Sequence, residues 1–260
     1  MLNKTQMRNH PFLFSYYTNK TRKKVFIMSN SKYLDFLSQF GVSGAHPGGL
    51  ALTKELLKFE NIDNKLHILD VGCGTGQTAA YLASNYQAKV TGIDNNSIMI
   101  AKAQNRMTKQ RLPVQIIHAS IEQIPLANKQ FNLIISESVL SFVNNKAQAL
   151  DEIYRVLQYG GKLIAIEFTI NQLLDTKSKE DIQQFYGFDR LLMKKDWVTL
   201  FKNAGFQTIN IRKNKSISSA PEFNVSQNIE QDLYEVMDQH IAMNNKYDGI
   251  LDYRIYYCTK

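Results

Sequence analysis

The run Ile68-Leu69-Asp70-Val71-Gly72-Cys73-Gly74-Thr75-Gly76-Gln77, followed by Val90-Thr91-Gly92-Ile93-Asp94, constrains the fold more than any other part of the chain. Residues 66–71 and 90–93 are short, continuous apolar runs, the pattern of strands buried on both faces of a parallel sheet. Three alternating glycines follow the first strand, where the backbone must turn sharply and can approach a ligand more closely than a side chain would allow. Asp94 closes the second strand, at the sheet edge where a carboxylate can accept the hydroxyls of a ribose. The pattern predicts an α/β domain with a nucleoside-bearing ligand at its carboxyl edge.

The glycine spacing narrows the choice. A dinucleotide fingerprint places its third small residue at position 77, which here is Gln77, while the third glycine stands at Gly76. The result is G-x-G-x-G with a bulky residue opening the helix, which disfavours a pyrophosphate and with it an NAD oxidoreductase. Asp70 through Gly76 resembles the first motif of the class I S-adenosylmethionine-dependent methyltransferases, an acidic residue followed by G-x-G-x-G. Further segments match in register. Asp94-Asn95-Asn96-Ser97-Ile98-Met99-Ile100 resembles the post-loop segment, and Ser120-Ile121-Glu122-Gln123-Ile124-Pro125-Leu126 the adenine-side segment. Phe131-Asn132-Leu133-Ile134-Ile135-Ser136 resembles the fourth strand, and residues 150–161, ending in Gly160-Gly161, the helix and turn before the fifth. The likeness spans roughly residues 44–213 and is greatest to the small-molecule group that includes ubiquinone and menaquinone biosynthesis enzymes.

That resemblance implies a Rossmann-like, seven-stranded, mostly parallel sheet with helices on both faces and the last two strands forming an antiparallel hairpin. It implies S-adenosyl-L-methionine as methyl donor, S-adenosyl-L-homocysteine as product and a small-molecule acceptor. Carried over residue by residue, Asp70, Gly72, Cys73, Gly74 and Gly76 line the methionine portion, and Asp94 binds the ribose. Asn95, Ser120 and Ile121 meet the adenine, and Ser136 flanks the methionine amine. Many members carry Asp where Ser120 stands, and Asn132 replaces a usual Asp. The catalytic candidates are His46, in the loop before Pro47-Gly48-Gly49, and Glu137 and Glu167, which follow the fourth and fifth strands. Each also has a structural alternative: His46 as a helix cap, Glu137 as a loop brace, Glu167 as a strand-end charge.

At 260 residues the chain holds one α/β domain with decoration. Its formal charge of +8 is unevenly spread, because Lys4, Arg8, Lys20, Arg22, Lys23 and Lys24 fall in residues 1–27 with no acid among them. Residues 1–27 are read as a basic, disordered extension, and 28–260 as a single domain with lid elements at 28–49, 170–194 and 214–250. No run reaches the length of a membrane helix, so no membrane partner is expected. Cys73 and Cys258 give no disulfide framework, which fits a reducing cytosol, and no Cys/His cluster has metal-ligand spacing.

Signatures of other acceptor classes are missing. The place after the fourth strand reads Ser136-Glu137-Ser138-Val139 rather than Asp/Asn-Pro-Pro-aromatic, neither cysteine follows a proline, and Ser136 replaces the Asp of metal-dependent catechol enzymes. Two other readings stay open: RNA methylation with the basic arm as a docking element, and a non-catalytic S-adenosylmethionine-binding protein. His240 lies on an apolar helix face and is read as a core histidine.

Helices are expected at 32–40, 48–59, 77–86 and from Asn96 as cap to about Lys109. Another is expected through Leu150, Ile153, Tyr154 and Leu157, ended by Gly160-Gly161, and residues 216–228 are expected to be loop.

Overall fold

The computed structural model describes residues 32–213 and 219–260. The basic segment 1–27, the opening of the first lid element and residues 214–218 lie outside the described residues.

A seven-stranded sheet organises the chain. Its strands are β2 (His67–Val71), β3 (Lys89–Asp94), β4 (Gln115–His118), β5 (Phe131–Glu137), β6 (Leu157–Ile170), β7 (Thr208–Arg212) and β9 (Leu251–Thr259), in the order β4-β3-β2-β5-β6-β9-β7. The pairs among β4, β3, β2, β5 and β6 are parallel, and β9 lies antiparallel between β6 and β7. This is the expected Rossmann-like order with its terminal hairpin. The chain steps from β2 outward to β3 and β4, then returns to place β5 on the other side of β2. That reversal opens a crevice at the carboxyl ends of β2 and β5.

Alternate residues of each central strand feed different cores. Leu69, Val71 and Ile134 join a cluster with Leu150, Ile153, Trp197 and Phe201. Ile68, Leu133 and Ile135 join another with Leu52, Leu82 and Val90. Helices α5 (Lys146–Val156) and α7 (Lys194–Asn203) supply the first layer; α2 (Gly49–Leu57) and α3 (Gln77–Tyr86) contribute to the second, and Met107 of α4 (Ser97–Gln110) adds to it. Both faces are largely apolar, which is why these strands read as predominantly apolar runs.

Helix α4 begins where expected, with the Asn96 side chain accepting from the Ile98 and Met99 amides at 2.9 and 3.1 Å. Asn132, which stands where many members carry Asp, accepts a hydrogen bond from the His67 amide at 2.9 Å.

Two expectations are corrected. Gly160-Gly161 does not end α5; the helix stops at Val156, and Leu157 is already extended with ψ 137°. The glycines lie inside β6 at a register break, since Phe131 pairs with Leu157 but Leu133 with Lys162. Part of the segment expected to be loop forms β8 (Glu222–Phe223), which pairs antiparallel with β1 (Val42–Ser43) as a separate two-stranded ribbon.

A third apolar cluster sits over the carboxyl edge. It joins Tyr33 and Phe36 of α1 (Lys32–Phe40), Ile182, Phe185 and Tyr186 of α6 (Thr176–Tyr186), and Leu233 and Val236 of α8 (Asp232–Lys246). His240 lies within it, 3% exposed, with its two ring nitrogens near the Tyr186 hydroxyl and the Asn244 amide. Burial lowers its pKa to about 4, as befits a neutral core histidine. Among the described residues no helix is long and apolar enough to cross a membrane.

Candidate functional site

The glycine loop takes its shape from backbone angles and close neighbours. Gly72, Gly74 and Gly76 all have positive φ, at 65°, 53° and 74°. A Cβ on Gly72 would fall 2.3 Å from Val139 Cγ2, and one on Gly76 2.6 Å from Met107 Cε. A Cβ on Gly74 would meet nothing within 4 Å, because that residue faces the cavity described next.

Asp94 locks the loop to the end of β3. Its Oδ2 accepts from the Gly74 amide at 2.9 Å and its Oδ1 from the Asn96 amide at 2.8 Å. Asp94 is therefore no helix cap, since Asn96 fills that role. Burial raises its pKa against the pull of those two amides. Arg106 fixes the loop from the other side, donating to the Thr75 carbonyl at 2.9 Å, to Ser43 Oγ at 3.2 Å and to Glu222 at 3.0 Å. The ribbon β1–β8 is thus pinned to the glycine loop.

Between these elements lies a cavity of about 330 Å³. Asp70, Gly72, Cys73, Gly74, Asp94, Asn95, Ser120 and Ile121 all line it, so most of the residues assigned to the donor converge on one space. Asp70 is 2% exposed, and its Oδ2 has no hydrogen-bond partner among the described residues. Burial, then the nearby charges of Glu137 and Asp94, pushes its carboxyl well above the usual aspartate range. An orphaned acidic oxygen at the wall of a glycine-rich cavity fits a ligand that brings a positive charge and hydrogen-bond donors, as a sulfonium amino acid does. Cys73 is buried and its thiol is pushed up by burial, so it packs rather than reacts.

His46 and Glu137 also line the cavity, and the fold brings them together. His46 is 3% exposed and its Nε2 stands 3.5 Å from Glu137 Oε1. Two threonines complete the group: Thr53 Oγ1 donates to Glu137 Oε1 at 2.5 Å and lies 3.2 Å from His46 Nε2, and Thr78 Oγ1 donates to Glu137 Oε2 at 2.7 Å. His46 Nδ1 faces the Pro47 carbonyl at 3.2 Å. A carbonyl only accepts, so this contact calls for a hydrogen on Nδ1, while Nε2 faces Thr53 Oγ1 and Glu137 Oε1. Thr53 and Thr78 escaped the reading of the sequence. The available signal was a hydroxyl on the buried face of each of two helices, which calls for a polar partner inside.

Three expected site residues do not line the cavity. Gly76 turns its α-carbon toward Met107 and Ala103. Ser136 is fully buried and donates to Glu167 Oε1 at 3.1 Å. Glu167 is fully buried too, and its carboxylate also accepts from the Leu140 amide at 3.1 Å, the Ser141 amide at 2.9 Å and Ser141 Oγ at 2.7 Å. It braces the turn after β5 and does not line the cavity. Burial pushes its pKa up to about 7 despite these donors.

Glu167→Gln should therefore destabilise the fold by about 2 kcal/mol at neutral pH, because an amide NH2 turned toward backbone donors leaves at least one unpaired. Chemical denaturation measures this, and an unchanged midpoint would show that the brace carries no weight. The raised pKa also makes wild-type stability fall as pH climbs from the ordinary glutamate range toward 7, since the folded state binds the extra proton there. The variant loses that share of the slope.

Residues 69–165 match the family described as Methyltransferase domain. The uncharacterized methyltransferase YodH of Bacillus subtilis is 36% identical over 234 residues, covering 88% of this chain and all of that protein. The demethylmenaquinone methyltransferase of Lactiplantibacillus plantarum is 33% identical over 118 residues, 44% of this chain and 50% of its own. Among solved structures, phosphoethanolamine N-methyltransferase 2 of Haemonchus contortus, in complex with S-adenosyl-L-methionine, superposes with a TM-score of 0.71 at 19% identity. That match covers 89% of this chain and 57% of that one, and it speaks for the fold. Glycine loop, sheet order and similarity over most of the chain agree: the chain belongs to the class I S-adenosylmethionine-dependent methyltransferases.

Proposed function

We propose that this methyltransferase acts on a small-molecule acceptor, with Asp70, Gly72, Cys73, Gly74, Asp94, Asn95, Ser120 and Ile121 holding the donor and His46 taking the acceptor's proton. The observation that carries the reading is the oxygen of buried Asp70, unpartnered among the described residues, on the wall of a cavity clamped by Asp94. Two of the similar proteins, the demethylmenaquinone and phosphoethanolamine enzymes, have small acceptors in their names, and the same class is proposed here.

When bound, the donor supplies an electrophilic sulfonium methyl. The chain's own task is alignment, worth about 7–11 kcal/mol in well-ordered reactions, together with removal of a proton. Asp70 meets the positive end of the donor's amino acid portion, and Asp94 meets the ribose while keeping the loop in place. His46 Nε2 receives the proton, Thr53 relays between it and Glu137, and the Glu137 carboxylate steadies the imidazolium that results. Helix α1 and strand β1 supply part of the wall of this site, with α6 and α8 packed against α1. Gly76, Ser136 and Glu167 serve the fold rather than the ligand in this reading.

The test is transfer of a labelled methyl group into a metabolite extract, followed in wild type and His46→Asn. Asparagine can still donate to the Pro47 carbonyl but cannot take a proton. The expected result is a rate about 100-fold lower with donor affinity by calorimetry within about twofold of wild type. An unchanged rate would remove His46 from the chemistry, and a wild type that neither binds the donor nor transfers label would end the proposal.

A further inference from the structure

We propose that the acceptor is an amine that enters as its ammonium ion, an inference that rests on the placement of donor and acceptor just given. The cavity is lined by four carboxylates, Asp70, Asp94, Glu122 and Glu137, and among the described residues by no lysine or arginine. His46 is the one basic side chain on that wall among the described residues. The donor brings a sulfonium and an ammonium against one carboxylate, a single net positive charge. Even with His46 protonated, the loaded cavity keeps an excess of negative charge, and charges inside a poorly solvated space act strongly on what enters. A phosphate or carboxylate on the acceptor would meet repulsion and find no charged partner on this wall. An ammonium ion would be drawn in.

A further feature of the wall agrees. Tyr33 and Phe142 line the same cavity and stack on each other, ring centroids 6.1 Å apart and planes 15° from parallel. Aromatic rings attract alkylated ammonium ions through their quadrupoles, so the wall suits both the incoming amine and its methylated product.

The chemistry closes. The ammonium ion gives one proton to His46 Nε2 and becomes a neutral amine. The nitrogen lone pair forms the new bond to the methyl carbon, the carbon–sulfur bond breaks with its pair retained by sulfur, and the product leaves as a methylammonium ion. Positive charge moves from sulfur to nitrogen without leaving the carboxylate-lined space.

The test uses the full-length chain saturated with S-adenosylhomocysteine and a metabolite extract divided by ion exchange at neutral pH into cationic, neutral and anionic pools. The cationic pool should raise the melting temperature of the loaded chain, and labelled methyl from S-adenosylmethionine should enter that pool and no other. In Glu137→Gln the amount of cationic pool needed for half the shift should rise about tenfold, as one carboxylate is neutralised. Stabilisation or label found in the neutral pool, in the anionic pool or in none overturns the inference. If S-adenosylhomocysteine still binds wild type in that event, the amine assignment alone falls. If it does not bind, the reading beneath it falls as well.

Discussion

Asp94→Ala is expected to weaken S-adenosylmethionine binding about 100-fold, or ~2.7 kcal/mol. One carboxylate does three things at this position. It holds the Gly74 amide, holds the Asn96 amide, and remains open to a ligand because Asp94 lines the cavity. Removing it strands two backbone donors, each worth about 1.5–3 kcal/mol when bonded to a charged group, and releases a loop whose glycines sit at positive φ. Part of that loss is a cost to the fold itself, so the melting temperature should fall as well. Asp94→Asn retains one acceptor oxygen and should lose only about tenfold in affinity. Calorimetry of donor binding to the two variants measures the ordering, and equal affinity in wild type and Asp94→Ala would deny Asp94 any part in the site.

What could be read from the sequence was what depends on neighbours in the chain. Residues 66–71 and 90–93 announced themselves because both faces of each strand are buried, and the turn that follows was marked by glycines at Gly72, Gly74 and Gly76. Helix α1 fell where expected because Tyr33 and Phe36 lie one turn apart on a single face. Asn96 announced itself as a cap by residue type and place.

What stayed hidden depends on partners far along the chain or on a one-residue difference in direction. The strand pair of Val42–Ser43 with Glu222–Phe223 joins two segments that carry no pattern of their own. Ser136 and Glu137 stand side by side on β5, yet successive side chains leave a strand on opposite faces. Glu137 meets the cavity while Ser136 turns to Glu167, and no local signal says which. Gly160-Gly161 is ambiguous for a different reason: the same dipeptide serves a helix end or a break in strand register, and the pairing of β6 with β5 decides. The threonine group around Glu137 is hidden because Thr53 and Thr78 come from different helices that only the fold brings to one carboxylate.

Asp70→Asn should move stability and binding in opposite directions. The Asp70 carboxyl is buried, lacks a partner on Oδ2 among the described residues, and feels Glu137 and Asp94 nearby, so its charged form is costly and its pKa is raised. A group whose acid form is favoured in the folded state binds more protons there than in the unfolded chain. Stability then declines as pH rises from the ordinary aspartate range toward the raised value. The neutral asparagine removes that decline, so the variant should melt at the same temperature as wild type or higher near neutral pH. The donor, in contrast, presents a cation to this position and prefers the carboxylate, so its binding drives a proton off Asp70. Two consequences follow for calorimetry at a pH below the raised value. The apparent binding enthalpy of wild type should change between buffers of different ionisation enthalpy, reporting net proton release, while that of Asp70→Asn should change far less; and the variant should bind the donor at least about tenfold more weakly. A variant that loses stability and keeps full affinity would mean that Asp70 braces the glycine loop, and that the positive end of the donor is met elsewhere.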